Sequence, residues 1–157
     1  MKAYIAAPLF SDAEKKFNQS VADCLAALGI DSYLPQRDGG EGVRMVRGGA
    51  DPDTVKQQLF QADVTAVREC DLLVFLLDGR VPDEGGCFEM GMAYVLGKAL
   101  YALQTDCRRF AGGDNNLMID YPLRGRIAHS LDELVAMLIA HSADPAAGLV
   151  SERSPAS

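Results

Sequence analysis

The sequence predicts a single-domain α/β protein with a doubly wound, mostly parallel sheet of five strands and helices on both faces. Strand-like and helix-like segments alternate along the chain, which is the pattern of parallel strands joined by helices. Residues 72–77 form a continuous apolar run, typical of a central strand covered on both faces. The length of 157 residues fits one domain. We therefore expect a Rossmann-like or flavodoxin-like architecture.

Composition and charge exclude several classes of protein. Hydrophobic residues make up 48% of the chain and charged residues 24%, which is ordinary for a globular protein and too apolar for a disordered one. The net charge is −7, and the chain has no dense run of basic residues. Binding to polymeric nucleic acid requires clustered cations, so nucleic acid and anionic membranes are poor candidate partners.

The compartment is predicted from the apolar runs, the N-terminus and the cysteines. No apolar run reaches the length of about 20 residues that a membrane span requires. The apolar N-terminal stretch is short and meets Pro8, so it is interpreted as a strand and not as a signal peptide. The four cysteines include no C-x-x-C pair, and metal-ligand spacing is absent. We expect a cytoplasmic protein with reduced cysteines, no metal and no cofactor.

The first third of the chain is predicted to hold two strands and a helix, followed by a loop. Residues 2–6 and 30–34 have the pattern of buried strands. Ser11 and Glu14 form a capping box that opens a helix ending near Leu28. Residues 36–51 hold five glycines, too many for a helix, so they are predicted to form a loop. A loop of this length inside a compact domain is usually functional.

The remainder of the chain is predicted to alternate helices and strands before a flexible tail. Pro52 suits the first turn of a helix, and Gly97 suits the end of one. Ser130 and Glu133 form a second capping box. The predicted segments are helices over 52–69, 84–96 and 131–141, strands over 72–77 and 99–103, an irregular stretch over 104–125, and a flexible tail over 143–157.

The segment after the central strand carries two carboxylates that could meet at a site. Ligands bind to parallel α/β sheets at the carboxyl ends of the strands. Asp83 and Glu89 are six residues apart, which on one helix places them about 240° around the axis from each other. They converge only if Asp83 precedes the helix and Glu89 lies about one turn inside it. Gly85 and Gly86 between them allow a ligand to approach closely.

Two interpretations of this segment stay open from spacing alone. In the first, the helix N-terminus stabilises the anionic form of Glu89, which then suits a nucleophile or a partner of an oxocarbenium ion. In the second, Asp83 and Glu84 cap the helix and Glu89 faces water. The residues themselves favour the second slightly.

Asp63 is a further candidate, on the helix before the central strand. Its helical neighbours three and four residues away are all apolar, so the carboxylate lies on or beside the buried stripe. A buried carboxylate is costly without a partner, and such positions often mark sites. A structural aspartate bonded to a neighbouring loop is an equally good interpretation.

These residues, together with others along the chain, occur in the order and spacing of a known family. The patterns are a Tyr and a Phe near the first strand, an Asp eight residues before the Asp that opens the central strand, a D-x-G…E-x-G-x-A pattern and an N-x-M element: Tyr4, Phe10, Asp63, Asp71, Asp83–Gly85, Glu89–Ala93 and Asn116–Met118. In this respect residues 2–118 resemble the nucleoside 2-deoxyribosyltransferase family. The catalytic domain is then expected over residues 1–142.

The resemblance implies a two-step transfer of the 2-deoxyribosyl group between purine or pyrimidine bases, with retention at C1′. Glu89 would be the nucleophile that forms a covalent deoxyribosyl-enzyme, and Tyr4 would orient it. Asp63 would contact the base and assist its protonation, and Asp83 would lie near the 5′-hydroxyl. Such a reaction serves nucleoside salvage, with deoxynucleosides and free bases as the partners.

The resemblance also implies substrate contacts and an assembly. Phe10, Gly85 and Gly86 would bind substrate. Family members are homo-oligomers, often hexamers built from dimers. Asn116 and Met118 would therefore complete the site of a neighbouring subunit.

Two other functions remain open at this stage. One is an N-glycoside hydrolase acting on deoxynucleosides or on deoxynucleoside 5′-monophosphates. Hydrolases of the monophosphates tend to carry Ser six residues before the nucleophile, and Asp83 at that position would repel a phosphate dianion. The other is a nucleoside-sensing module without catalysis, which retention of Glu89 and its acidic neighbours weighs against.

Overall fold

A parallel five-stranded sheet forms the centre of the fold in the computed structural model, which describes residues 1–40, 42–106 and 115–144. Neighbouring strands are parallel throughout, and the spatial order is β2-β1-β3-β4-β5. This is the flavodoxin-like order, so the predicted architecture is confirmed. The strands are β1 (Lys2–Ala6), β2 (Asp31–Tyr33), β3 (Leu72–Leu76), β4 (Ala99–Leu103) and β5 (Ile127–Ala128).

Helices cover both faces of the sheet. The elements are α1 (Asp12–Ala27), α2 (Pro35–Asp38), α3 (Gly42–Arg47), α4 (Pro52–Glu69), α5 (Glu84–Val95), α6 (Leu117–Leu123) and α7 (Leu131–Ala143). Helices α1 and α7 pack on one face, while α4, α5 and α6 pack on the other. Side chains alternate along each strand, so Ile5 lies in the first core and Tyr4 in the second. None of the helices in the described ranges has the length and apolarity to cross a bilayer.

The two predicted capping boxes differ in the structure. The hydroxyl of Ser11 accepts from the amide of Glu14 at 3.2 Å, and the Glu14 carboxylate accepts from the amide of Ser11 at 2.7 Å. The first box is therefore confirmed. Ser130 accepts from the amide of Glu133 at 3.2 Å, but the Glu133 carboxylate accepts from the amide of His129 at 2.6 Å. The second box is therefore only half formed.

The prediction of a loop over residues 36–51 is wrong, because this segment contains the end of α2 and all of α3. Its glycines separate the helices instead of preventing them. Gly40 and Gly49 have φ of +88° and +95°, in the left-handed region that favours glycine, and each follows the end of a helix. A Cβ at Gly42 would lie 2.7 Å from Cδ1 of Leu59, so glycine there allows α3 to approach α4 closely.

The prediction of an irregular stretch over 104–125 is also wrong in part. Residues 107–114 lie outside the described residues, but α6 follows them. The side chain of Asn116 caps this helix by accepting from the amide of Met118 at 2.9 Å. Strand β5 is only two residues long, and no pattern in the sequence marked it. Of the predicted tail, the chain is described to Asp144, and the rest lies outside the described residues.

Gly86 allows α5 to lie directly on the central strand. A Cβ at Gly86 would be 2.5 Å from the nearest atom of the Phe75 ring, which is fully buried on β3. The Gly86→Ala variant is expected to lose about 1–3 kcal/mol of stability, because an aromatic ring packed in the core cannot move aside cheaply. The midpoint of urea unfolding measures the loss.

Gly91→Ala is the matched control for Gly86→Ala on the same helix. A Cβ at Gly91 meets nothing within 4 Å. Since alanine favours the helix over glycine, this variant is expected to gain about 0.5–1 kcal/mol. Equal effects of the two substitutions would contradict the role given to Phe75.

His141 is a buried titratable group on α7. Its side chain lies edge-on to Tyr101, with ring centroids 5.6 Å apart. Its Nδ1 has no hydrogen-bond partner within the described residues. Burial lowers the pKa of His141 and the charge of Arg126 lowers it further, while Asp144 and Asp71 act in the opposite direction. The folded protein therefore favours the neutral ring.

The buried histidine makes the stability of the protein depend on pH. The unfolded chain takes up a proton near the ordinary histidine pKa of about 6.5, whereas folded His141 resists it, so stability falls as the pH drops below about 6.5. The His141→Phe variant is expected to lose less stability than wild type between about pH 7.5 and about pH 5.5. Urea unfolding at both pH values measures the difference. Other groups titrate in both proteins, so an identical loss in the two would refute this assignment.

Candidate active site

A tyrosine and a glutamate form the centre of the candidate site. Tyr4 lies on β1 with its side chain fully buried, and its hydroxyl donates to Oε1 of Glu89 at 2.8 Å. Glu89 lies on α5, which follows β3. Strands β1 and β3 are the pair at which the strand order of this sheet reverses, the position where such folds bind ligands. The sheet therefore brings together two residues 85 positions apart in the chain.

Burial controls the protonation of Glu89. The pKa of Glu89 is raised to about 7, because burial and the charges of Asp63 and Asp83 raise it more than the hydrogen bond from Tyr4 lowers it. One of the two interpretations left open by the sequence was an anion stabilised by the helix N-terminus, but Glu89 lies beyond the first turn of α5, where that effect has fallen off. Glu89 therefore exchanges a proton near neutral pH.

A second tyrosine–carboxylate pair lies beside the first. The hydroxyl of Tyr33 donates to Oδ1 of Asp63 at 3.1 Å. The rings of Tyr4 and Tyr33 stack with centroids 5.4 Å apart and an angle of 16° between their planes. Burial raises the pKa of Asp63, and the hydrogen bond from Tyr33 lowers it. Sequence analysis missed Tyr33, although its place at the carboxyl end of a predicted strand was a usable signal.

Asp83 both caps a helix and lies near Glu89, so each of the two interpretations left open by spacing holds in part. It is the N-cap of α5, and its Oδ2 accepts from the amide of Gly86 at 2.8 Å. Its charge also raises the pKa of Glu89, as does the charge of Asp63, so both carboxylates lie close enough to interact with Glu89. Within the described residues, Oδ1 of Asp83 makes no hydrogen bond, which leaves that oxygen able to accept one from a ligand.

The other predicted site residues lie in different environments. The free side of Gly86 is filled by Phe75, so packing accounts for this glycine without a ligand, while Gly85 is exposed. The Phe10 side chain is exposed at the start of α1. Asn116 caps α6, and the neighbouring Met118 is exposed. Their contacts with substrate or with a neighbouring subunit stay predictions.

A cavity of about 660 Å³ adjoins the acidic cluster through Asp63. Its walls come from α2, α3 and α4, together with the segment after β1. Among the described residues that line it, Asp63 is the only acid. The glycine-rich segment 36–51, for which the sequence predicted a functional role, forms about half of these walls. The apolar members of the lining are Leu9, Pro35, Val46, Pro52, Val55 and Leu59.

Three interacting carboxylates at the switch point of a flavodoxin-like sheet define an enzyme site suited to a cationic transition state, as in glycosyl transfer. The chain belongs to the nucleoside 2-deoxyribosyltransferase family, whose model matches residues 3–152. Members of this family act on nucleosides and nucleobases, so small molecules are the partners of this enzyme. No curated protein matches the chain in sequence.

Solved structures share the fold over most of the chain. A conserved protein from Enterococcus faecalis V583 is 27% identical with a TM-score of 0.72, covering 90% of this chain and 98% of that one. A 2-deoxyribosyltransferase from Bacillus psychrosaccharolyticus is 23% identical with a TM-score of 0.70, covering 86% and 90%. A CMP N-glycosidase from Clostridium botulinum is 20% identical with a TM-score of 0.55, covering 88% and 99%.

The hydrogen bond from Tyr4 sets part of the pKa of Glu89. The Tyr4→Phe variant removes the donor and keeps the ring, so the pKa of Glu89 is expected to rise above about 7. A carbon-13 NMR titration of labelled glutamate carboxyls measures the shift. Tyr94→Phe is the control, because Tyr94 is exposed on α5, the helix that carries Glu89. It should leave the pKa of Glu89 unchanged. An unchanged or lower pKa in Tyr4→Phe would contradict the assignment.

Proposed function

We propose that this enzyme transfers the 2-deoxyribosyl group between nucleobases through a covalent intermediate on Glu89, with retention at C1′. The observation that carries the proposal is the Glu89 carboxylate, which accepts a hydrogen bond from Tyr4 at 2.8 Å and whose pKa is raised by burial and by the charges of Asp63 and Asp83. The charge of Asp63 raises the pKa of Glu89, so ionisation of one of these acids disfavours ionisation of the other. The reactive form has the proton on Asp63 and the negative charge on Glu89.

In the first step, an oxygen of Glu89 forms a bond to C1′ of the deoxynucleoside. The bond between C1′ and the base nitrogen breaks, and its electron pair stays on that nitrogen. Asp63 gives its proton to the base, which leaves as a neutral molecule. Glu89 is then an ester of deoxyribose and Asp63 an anion. Tyr4 donates to Glu89 throughout and holds the attacking carboxylate in position.

In the second step, a different base attacks C1′ through a ring nitrogen. The proton on that nitrogen passes to Asp63, and the ester bond breaks with its electrons returning to Glu89. Two inversions at C1′ give net retention. Tyr33 donates to one oxygen of Asp63 in both steps, which leaves the other oxygen free to carry the proton towards the base.

Free nucleosides are the proposed substrates, and hydrolysis is the second candidate reaction. Oδ1 of Asp83 is available to accept a hydrogen bond from the 5′-hydroxyl, whereas a 5′-phosphate dianion at the same position would be repelled. In the alternative, water takes the sugar from a deoxynucleoside or its 5′-monophosphate, and the CMP N-glycosidase shows a glycosidase on a similar fold. At 20% identity that likeness concerns the fold alone.

A homo-oligomer, dimer-based or hexameric, is part of the proposal. The start of α6 exposes Leu117, Met118 and Tyr121, an apolar surface of the kind that subunits bury. A neighbouring subunit would receive Met118 and Asn116 at its own site. A cytoplasmic role in nucleoside salvage is also part of the proposal. Cys24, Cys70 and Cys87 are unpaired, which suits a reducing compartment.

Base exchange tests the proposal directly. The wild-type protein incubated with deoxyadenosine and free cytosine is expected to produce deoxycytidine, measured by liquid chromatography. The Glu89→Gln variant should produce none, because an amide does not form the ester. The Asp63→Asn variant should lose about 10²- to 10⁴-fold in rate, the usual contribution of a general acid.

The same reaction mixture separates the alternatives. Free deoxyribose without deoxycytidine would establish hydrolysis and contradict transfer. Turnover of deoxycytidine 5′-monophosphate at the rate of deoxycytidine would contradict the role given to Asp83. Binding of nucleosides with no turnover of any donor would favour the sensing module.

A further inference from the structure

The cavity beside Asp63 is larger than a nucleobase needs. Its volume of about 660 Å³ lies within the range of about 300–1,000 Å³ that holds a drug-sized ligand. A free nucleobase is one ring or two fused rings, so a base in contact with Asp63 leaves much of the cavity unfilled. The part beyond Asp63 is bounded by α2, α3 and α4.

The walls of this part are apolar. Val46 on α3 faces the cavity together with Val55 and Leu59 on α4, and Val55 is almost fully buried. Apolar walls gain free energy when an apolar group replaces water against them. The two cations of the lining, Arg47 and Lys56, are exposed and disfavour a positively charged group.

The geometry of a purine relates the cavity to Asp63. N7 of adenine and its 6-amino group share one edge of the ring system. If Asp63 protonates a nitrogen of that edge, as in the proposed function on which this argument rests, a group on the 6-amino nitrogen extends into the space beyond Asp63. The shape, the apolar walls and the carboxylate at the edge of the cavity then act on the same ligand.

We propose that the cavity between α2, α3 and α4 is a subsite for an apolar substituent on the base, and that the enzyme prefers purines carrying such a group on the 6-amino nitrogen. The preference arises because the substituent removes the apolar walls from water while the base keeps its contact with Asp63. The segment of α2 and α3 therefore determines specificity, and the carboxylate cluster carries out the reaction.

Competing acceptors test this preference. With deoxycytidine as donor, N6-benzyladenine is expected to have a KM about 10-fold or more below that of adenine, the usual effect of filling an apolar pocket. N6-(4-aminobutyl)adenine carries a cation into the same space and should have no such advantage. The Val46→Trp variant fills the cavity and should reduce the ratio of kcat/KM for N6-benzyladenine over adenine to one or below.

Ile139→Trp is the matched control for Val46→Trp. It places the same side chain at an exposed β-branched position of α7, away from the cavity, and should keep the wild-type ratio. Transfer to adenine with no preference for N6-benzyladenine in the wild type would overturn the subsite and leave the proposed function standing. Equal ratios in Val46→Trp and Ile139→Trp would also overturn it.

If the wild type transferred deoxyribose to no base, the proposed function would be overturned. A binding experiment would then test the subsite. Calorimetric titration of the wild type with N6-benzyladenine should then give tighter binding than adenine, and Val46→Trp should remove the difference. Equal affinity of the two bases for the wild type would overturn the subsite.

Discussion

The site depends on the burial of the Glu89 carboxylate against the hydroxyl of Tyr4. Moving an ionised carboxylate out of water is costly, and a hydrogen bond from a neutral donor offsets only part of that cost. Tyr4 can supply the bond because its strand, β1, is held between β2 and β3 and its ring packs in the core on that face of the sheet. The opposing effects of burial and hydrogen bonding leave Glu89 near the point of proton exchange at neutral pH.

The reactive groups lie on regular elements, with the tyrosines on strands and the acids on or capping helices. Tyr4 and Tyr33 come from adjacent strands, and Asp63 and Glu89 from the helices packed over them. Positions of this kind are held by the packing of the core and vary less than positions on loops. Because the rings of Tyr4 and Tyr33 stack, the position of each hydroxyl depends on the position of the other ring. The site is therefore organised before any ligand binds.

The sequence predicted those features that depend on local chemistry. The apolar run of β3, the cap at Ser11 and the condition under which Asp83 and Glu89 converge all follow from neighbouring residues. What it did not predict depends on packing. The end of α2 and all of α3 lie among the glycines of 36–51, where Gly42 allows α3 to pack closely against Leu59 of α4. The protonation of Glu89 is set mainly by burial among distant segments. Strand β5 exists only because β4 offers an edge to two residues.

The short strand β2 has a consequence for the chemistry of the cluster. It lies at the edge of the sheet, pairs through three residues and aligns Tyr33 with Tyr4. A slip of one residue would turn Tyr33 to the opposite face, away from Asp63. Edge strands of this length are among the first parts of a domain to open. The pKa of Asp63 therefore depends on whether β2 is paired with β1. Local opening of β2 would remove the hydrogen bond from Tyr33 and raise the pKa of Asp63, while the rest of the sheet stays intact.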